Sequence, residues 1–213
     1  MSVLRHGWRY VQRHGLTAAL RATVHRFLYR SEQWIVFRAD LAGLPADDHV
    51  GDIVFRLATP ADLARLDELD RYHRGSSQRR DVDKDHDWLF VAVHGDRIVA
   101  TRRYSATIPA HGIMSRVLSL GPGQIWMADL FCLPEYRNQG VARLLAVFAD
   151  RVLAACEYKE HFASVPVTNT ASLRLSLRKG SEPCYHVSYF RLLFYERLRV
   201  SRVMPPGLVP PGI

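Results

Sequence analysis

Apolar and polar positions first settle into a clear pattern at Ile53-Val54-Phe55-Arg56-Leu57, which reads as a short strand. Thr59-Pro60-Ala61-Asp62 then has the marks of a helix start: a hydroxyl N-cap, proline at the first helical position and an acid in the first turn. Leu63, Leu66 and Leu69 supply the buried face of that helix. Trp88 to Val93 is a strand, His94-Gly95-Asp96-Arg97 a turn, and Ile98 to Ile108 the returning strand of a hairpin. Gln124 to Cys132 is the next strand, Gly140 to about Cys156 a helix, and His161 to Val167 another strand. A helix from about Thr170 to Lys179 stops at Gly180, and Tyr185 to Tyr195 is aromatic and β-branched enough for a strand. Hairpins early and a crossover late predict a mixed α/β fold.

The flanks differ from this body. Residues 1–31 contain six arginines and neither Asp nor Glu. Trp8, Val11, Leu16, Leu20, Val24, Phe27 and Leu28 recur at helical spacing, which suits one or two amphipathic helices broken near Gly15. Such a helix either docks on the main domain with a solvated basic face or meets a membrane surface or partner. Gln33 to Phe37 is a short strand, and 42–52, with Gly43, Pro45 and Gly51, is a linker. The polar stretch 71–87 has no clear period and is expected to border a substrate site. Three parts result: residues 1–50 as a basic helical segment with strand and linker, 51–203 as the main domain, and 204–213 as a Pro/Gly-rich tail.

Composition is that of an ordinary globular protein, 48% apolar and 23% charged. No run reaches the roughly 18 apolar residues of a membrane span, and arginine and histidine interrupt every apolar stretch of the N-terminus, so a cytoplasmic location is expected. Cys132, Cys156 and Cys184 are odd in number and set in apolar stretches, which predicts buried reduced thiols. The ten histidines show no metal-ligand spacing, so no metal is expected. A net charge of +8 favours anionic partners without choosing among them. Nucleic acid is not expected, because no DNA- or RNA-reading motif accompanies the basic residues.

The most pointed chemistry lies at Leu133-Pro134-Glu135-Tyr136-Arg137-Asn138-Gln139-Gly140-Val141-Ala142. An apolar strand ends at a proline turn, and a helix begins after an R-x-x-G-x-A loop. Glycine lets the backbone approach a ligand, and a helix N-terminus aims N–H groups and a positive dipole at it. Such a loop is built to bind a pyrophosphate.

This loop resembles the strand, proline turn and R/Q-x-x-G-x-G/A motif of the GNAT family of acyl-CoA-dependent N-acyltransferases, with Ala142 in the last small position. A second stretch, Asn169-Thr170-Ala171-Ser172-Leu173-Arg174-Leu175 through Arg178-Lys179-Gly180, resembles the family's later N-x-x-S/A motif and its helix ending at K-x-G-F. Together they span about residues 52–195. The resemblance implies a mostly antiparallel twisted sheet flanked by helices, with a V-shaped splay between two central parallel strands, here Asp129–Leu133 and His161–Val167. Coenzyme A would lie there. Arg137, Asn138, Gln139, Gly140, Val141 and Ala142 would hold its pyrophosphate. Phe131 and Leu133 would border its pantetheine arm, with Asn169 on that arm and Ser172 near the phosphates. Asn169 also fits a helix cap.

Acyl transfer to an amine needs the ammonium deprotonated and the leaving thiolate protonated. Asp129-Leu130-Phe131-Cys132 resembles the family's E/D-L-Y-V stretch, which makes Asp129 the candidate base. The other reading is a carboxylate satisfied by backbone N–H groups or by Arg102 or Arg103. The family's general acid is a tyrosine four residues before the terminal glycine, where this chain has Ser176. Tyr185 is a substitute candidate, and water is another. Ser181 replaces the family's phenylalanine. Cys132, between Phe131 and Leu133, has no basic neighbour to activate it as a nucleophile.

The expected function is transfer of an acetyl group from acetyl-CoA to a primary amine of a small molecule, by direct attack. A longer acyl donor, on coenzyme A or on an acyl carrier protein docked by residues 1–31, is a second reading. A non-catalytic CoA-binding module is a third. A homodimer is compatible with all three.

Overall fold

The computed structural model describes residues 29–42, 51–70, 87–108 and 112–202. Its elements are β1 (Tyr29–Asp40), β2 (Ile53–Leu57), α1 (Pro60–Asp70), β3 (Asp87–His94), β4 (Arg97–Ser105), β5 (Gln124–Cys132), α2 (Val141–Ala155), β6 (Glu160–Pro166), α3 (Thr170–Arg178), β7 (Glu182–Leu192) and β8 (Tyr195–Ser201). Among the described residues they form a mixed α/β fold around one eight-stranded sheet, ordered β2-β3-β4-β5-β6-β1-β7-β8.

Local chemistry accounts for most of these elements. At the β3–β4 turn Gly95 takes a φ of +57°, which glycine adopts without a steric penalty. Asp62 receives hydrogen bonds from the Thr59 N–H and hydroxyl, each 2.7 Å, and from Arg56, which together fix the start of α1. Leu66 of α1 is buried and Leu63 packs against the same core, while the Leu69 side chain lies outside the described residues.

Every neighbouring pair is antiparallel except β5–β6. That parallel pairing runs only from Gln124↔Glu160 to Met127↔Ala163. Beyond it β5 stays paired with β4 as far as Cys132, and β6 with β1 as far as Pro166. Each strand therefore keeps its outer partner while its inner edge opens. The sheet is split by a V between two central parallel strands, as expected.

Helix α2 packs Val141, Leu145, Ala149 and Leu153 against Phe90, Tyr104, Ile125 and Leu133. Helix α3 packs Leu173 on Ile35, Phe37 and Val165. The opposite side of β1 contributes Val36 to a cluster with Met114, Trp126, Phe162 and Val187.

Several expectations need correction. The strand read at 33–37 runs from Tyr29 to Asp40 and occupies an interior place between β6 and β7. Ile35, Val36 and Phe37 are all buried because both faces of the strand are covered. The strand read as Tyr185–Tyr195 is two strands, folded back at Leu193-Phe194. Leu193 takes a φ of +53°, so the turn forms without the Asn or Gly that would have signalled it. The second hairpin strand ends at Ser105, short of Ile108. Cys156 is exposed because it caps the end of α2, beyond the core; all three cysteines are free, with Cys132 and Cys184 half-buried. The basic segment up to Leu28, most of the linker, the loop 71–86 and the tail 204–213 lie outside the described residues. No helix among the described residues is long and apolar enough to cross a membrane.

Candidate functional site

The V between β5 and β6 is a cleft. Met127, Ala128, Asp129 and Leu130 line it from β5, and Ala163 to Pro166 line it from β6. Asn169, Ser172, Leu175, Ser176 and Lys179 close one side from α3. Among the described residues, the inner edges of the splayed strands beyond Met127 and Ala163 pair with no strand across the gap, so an extended ligand carrying amides can pair there.

The R-x-x-G-x-A loop follows the end of β5. Pro134–Tyr136 form one turn of 3-10 helix, then Asn138 and Gly140 take φ values of +61° and +83°. Those left-handed residues turn the chain so that α2 starts at Val141, with Gly140 as N-cap and no side chain capping it. The loop is fixed from within: Arg137 Nε donates to the Cys132 carbonyl at 3.0 Å and Gln139 Nε2 to the Glu135 carbonyl at 2.7 Å. Arg97 pairs with Glu135 at 2.9 Å. Arg137, Asn138 and Gln139 are exposed, leaving this end open to an anion.

Asn169 caps α3, its Oδ1 accepting the Ser172 N–H at 3.1 Å. Both residues line the cleft, so the cap and the ligand-facing position coincide. Asp129 lines the cleft, half-buried, with Arg103 opposite it across the β4–β5 register. Phe131 and Leu133 turn their side chains into the core, where they contact α2, and offer a ligand only their backbone. Tyr185 stands apart from the cleft residues. It packs with Val36, Trp126 and Cys184, and the Arg202 guanidinium lies 5.9 Å from its ring centre. Burial pushes the Cys132 thiol above its ordinary pKa, in keeping with an inert side chain.

The base of the cleft holds a charged cluster that sequence reasoning missed. Asp150 of α2 is 1% exposed. It accepts hydrogen bonds from the Tyr104 hydroxyl and from Lys179 Nζ. Arg102 Nε donates to the Tyr104 hydroxyl at 2.6 Å, with its guanidinium 3.9 Å from Asp150. His161 Nδ1 lies 3.5 Å from Asp150 and makes no hydrogen bond among the described residues. Arg102, His161 and Lys179 all line the cleft.

Burial works against a charge on Asp150, yet Arg102 and Lys179 beside it hold its carboxyl below the ordinary range. Burial together with Arg102 lowers Lys179 to about 8, against the opposing pull of Asp150. Burial lowers His161 to about 3 and raises Tyr104 well above 10, so both are neutral at pH 7. The signal in the sequence was an acid at Asp150 on the stripe Ala142, Ala146, Ala149, Leu153, where α2 is otherwise apolar. Its partners come from three other elements and cannot be found by spacing.

Among the described residues no cluster of His, Cys, Asp and Glu is placed to hold a metal.

The family profile described as Acetyltransferase (GNAT) family matches residues 56–180. No curated protein matches the sequence. Among solved structures, a GCN5-related N-acetyltransferase from Kribbella flavida aligns with 12% identity and a TM-score of 0.56, over 84% of this chain and 64% of that one. A GCN5-related N-acetyltransferase from Sphaerobacter thermophilus aligns with 19% identity and a TM-score of 0.51, over 92% of this chain and 60% of that one. The chain thus spans under two thirds of the length of either protein, and at these identities the likeness is one of fold.

Proposed function

Because this chain belongs to the acetyltransferase (GNAT) family, we propose that it is an N-acyltransferase moving an acetyl group from acetyl-CoA to a primary amine of a small molecule. The single observation that carries this reading is the splayed cleft between β5 and β6, with Asn169 on its wall and the Arg137–Ala142 loop following β5.

On this reading the pyrophosphate sits at the N-terminus of α2, where backbone N–H groups and the helix dipole favour negative charge. The pantetheine arm pairs with the open edge of β5. Asp129, in the cleft on β5, accepts the proton that the attacking ammonium must lose. The nitrogen then attacks the thioester carbonyl directly and the thiol leaves. The polar floor formed by His161 and the charged Arg102 and Lys179 supports a short acyl group, since a long apolar chain ending there would bury charge against hydrocarbon.

The test is acetyl-CoA with a panel of amino sugars, amino acids and small amines, read by mass spectrometry of the acylated product. Turnover on at least one amine is expected. Asp129→Asn should lower turnover at neutral pH by about a hundredfold or more while leaving acetyl-CoA affinity unchanged. Full turnover by that variant would remove Asp129 as the base. Tight acetyl-CoA binding without turnover on any amine would instead favour a non-catalytic binding module.

A further inference from the structure

The reaction above leaves one proton without a donor. When the C–N bond forms and the C–S bond breaks, the thiolate must be protonated. Ser176, which lines the cleft, is a far weaker acid than a phenol. Three residues on, at the C-cap of the same helix, Lys179 lines the same cleft, its side chain 7% exposed and its ammonium held by Asp150. Resting on the acyltransfer reading, we propose that Lys179, held by Asp150, is the acid that protonates the leaving coenzyme A thiolate.

Charge balance supports this assignment. The groups facing Lys179 are Arg102 and Tyr104 from β4, Asp150 from α2 and His161 from β6, with Asp129 on the cleft wall from β5. Tyr104 and His161 are neutral at pH 7. The buried cluster of Arg102, Lys179 and Asp150 therefore carries one excess positive charge, which is costly away from water. Giving a proton to the thiolate leaves Arg102 opposite Asp150 and a neutral amine, so donation removes the excess. Burial and Arg102 set Lys179 at about 8, near the operating pH, where a general acid is most effective. The ammonium's first proton goes to Asp129, which passes it to water before the nitrogen attacks; the second leaves nitrogen for Asp129 as the C–N bond forms, and the Lys179 proton goes to sulfur as the C–S bond breaks. Exchange with water then restores both groups, and the overall reaction yields amide and free thiol.

The experiment compares the pH dependence of kcat for wild type, Lys179→Arg and Lys179→Met, with saturating acetyl-CoA and the best amine of the panel. Thermal melting and acetyl-CoA titration serve as controls for folding. Arginine keeps the positive charge but does not release a proton below about pH 12. In wild type, kcat should fall above about pH 8 as Lys179, lowered by burial and by Arg102, loses its proton. Both variants should lose about a hundredfold in kcat and lose that alkaline limb, with KM for acetyl-CoA held within about threefold. A Lys179→Arg protein with wild-type kcat would overturn the proposal, showing that charge rather than a proton is needed. If neither variant folds, the wild-type profile decides, because a kcat that stays flat to about pH 10 overturns the proposal as well. Absence of any wild-type turnover overturns the acyltransfer reading itself, and is told apart from these by that control.

Discussion

Charged side chains in the core mark where this molecule departs from a routine α/β domain. Asp150 occupies a position on α2 that packing alone would fill with an apolar residue, and it is the carboxylate that Lys179 and Tyr104 bind. Asp150→Asn leaves two buried cations without it and should cost about 3–5 kcal/mol, seen as a lower denaturation midpoint. A loss under about 1 kcal/mol would mean that the cluster is wet and screened. The single acid on the apolar stripe was visible in the sequence. Its partners Arg102, His161 and Lys179 were not, because β4, β6 and α3 bring them together only after the sheet has formed.

At the scale of elements, legibility followed locality. The Arg137–Ala142 loop and the Asn169–Gly180 helix each carry their turn, cap and stop residues within a few positions, so both were readable and both form as expected. The β7–β8 hairpin was missed because its turn is Leu193-Phe194, two apolar residues that continue the strand pattern. The place of β1 was missed for another reason: strand order is set by distant pairings, which residue patterning does not encode. Helix α3 offers a test that separates architecture from ligand binding. Asn169→Ala loses the cap and should cost about 1 kcal/mol, whereas Asn169→Asp keeps it. Under the acyl-CoA reading Asn169→Asp retains wild-type melting but weakens acetyl-CoA binding, since it removes an amide donor and adds a negative charge beside the cleft. Unchanged binding by Asn169→Asp would make the residue a cap alone.

Over the whole molecule, the eight-stranded sheet divides at one place, and each feature of the proposed site meets that division. The phosphate-binding loop follows β5, the capped helix follows β6, and the charged cluster lies at the base where the two strands part. A net charge of +8 draws an anionic donor toward it, an attraction that salt screens. On the acyltransfer reading, this cleft holds the acyl donor. Calorimetric titration of acetyl-CoA into the wild-type protein and into Ser176→Trp tests it, because position 176 lines the cleft from α3 and the substitution leaves the residues of the Arg137–Ala142 loop and the Asn169 cap unchanged. One acetyl-CoA should bind per wild-type chain, and a folded Ser176→Trp protein should lose at least about tenfold in affinity. Equal affinity in the two proteins would place the donor elsewhere and contradict that reading.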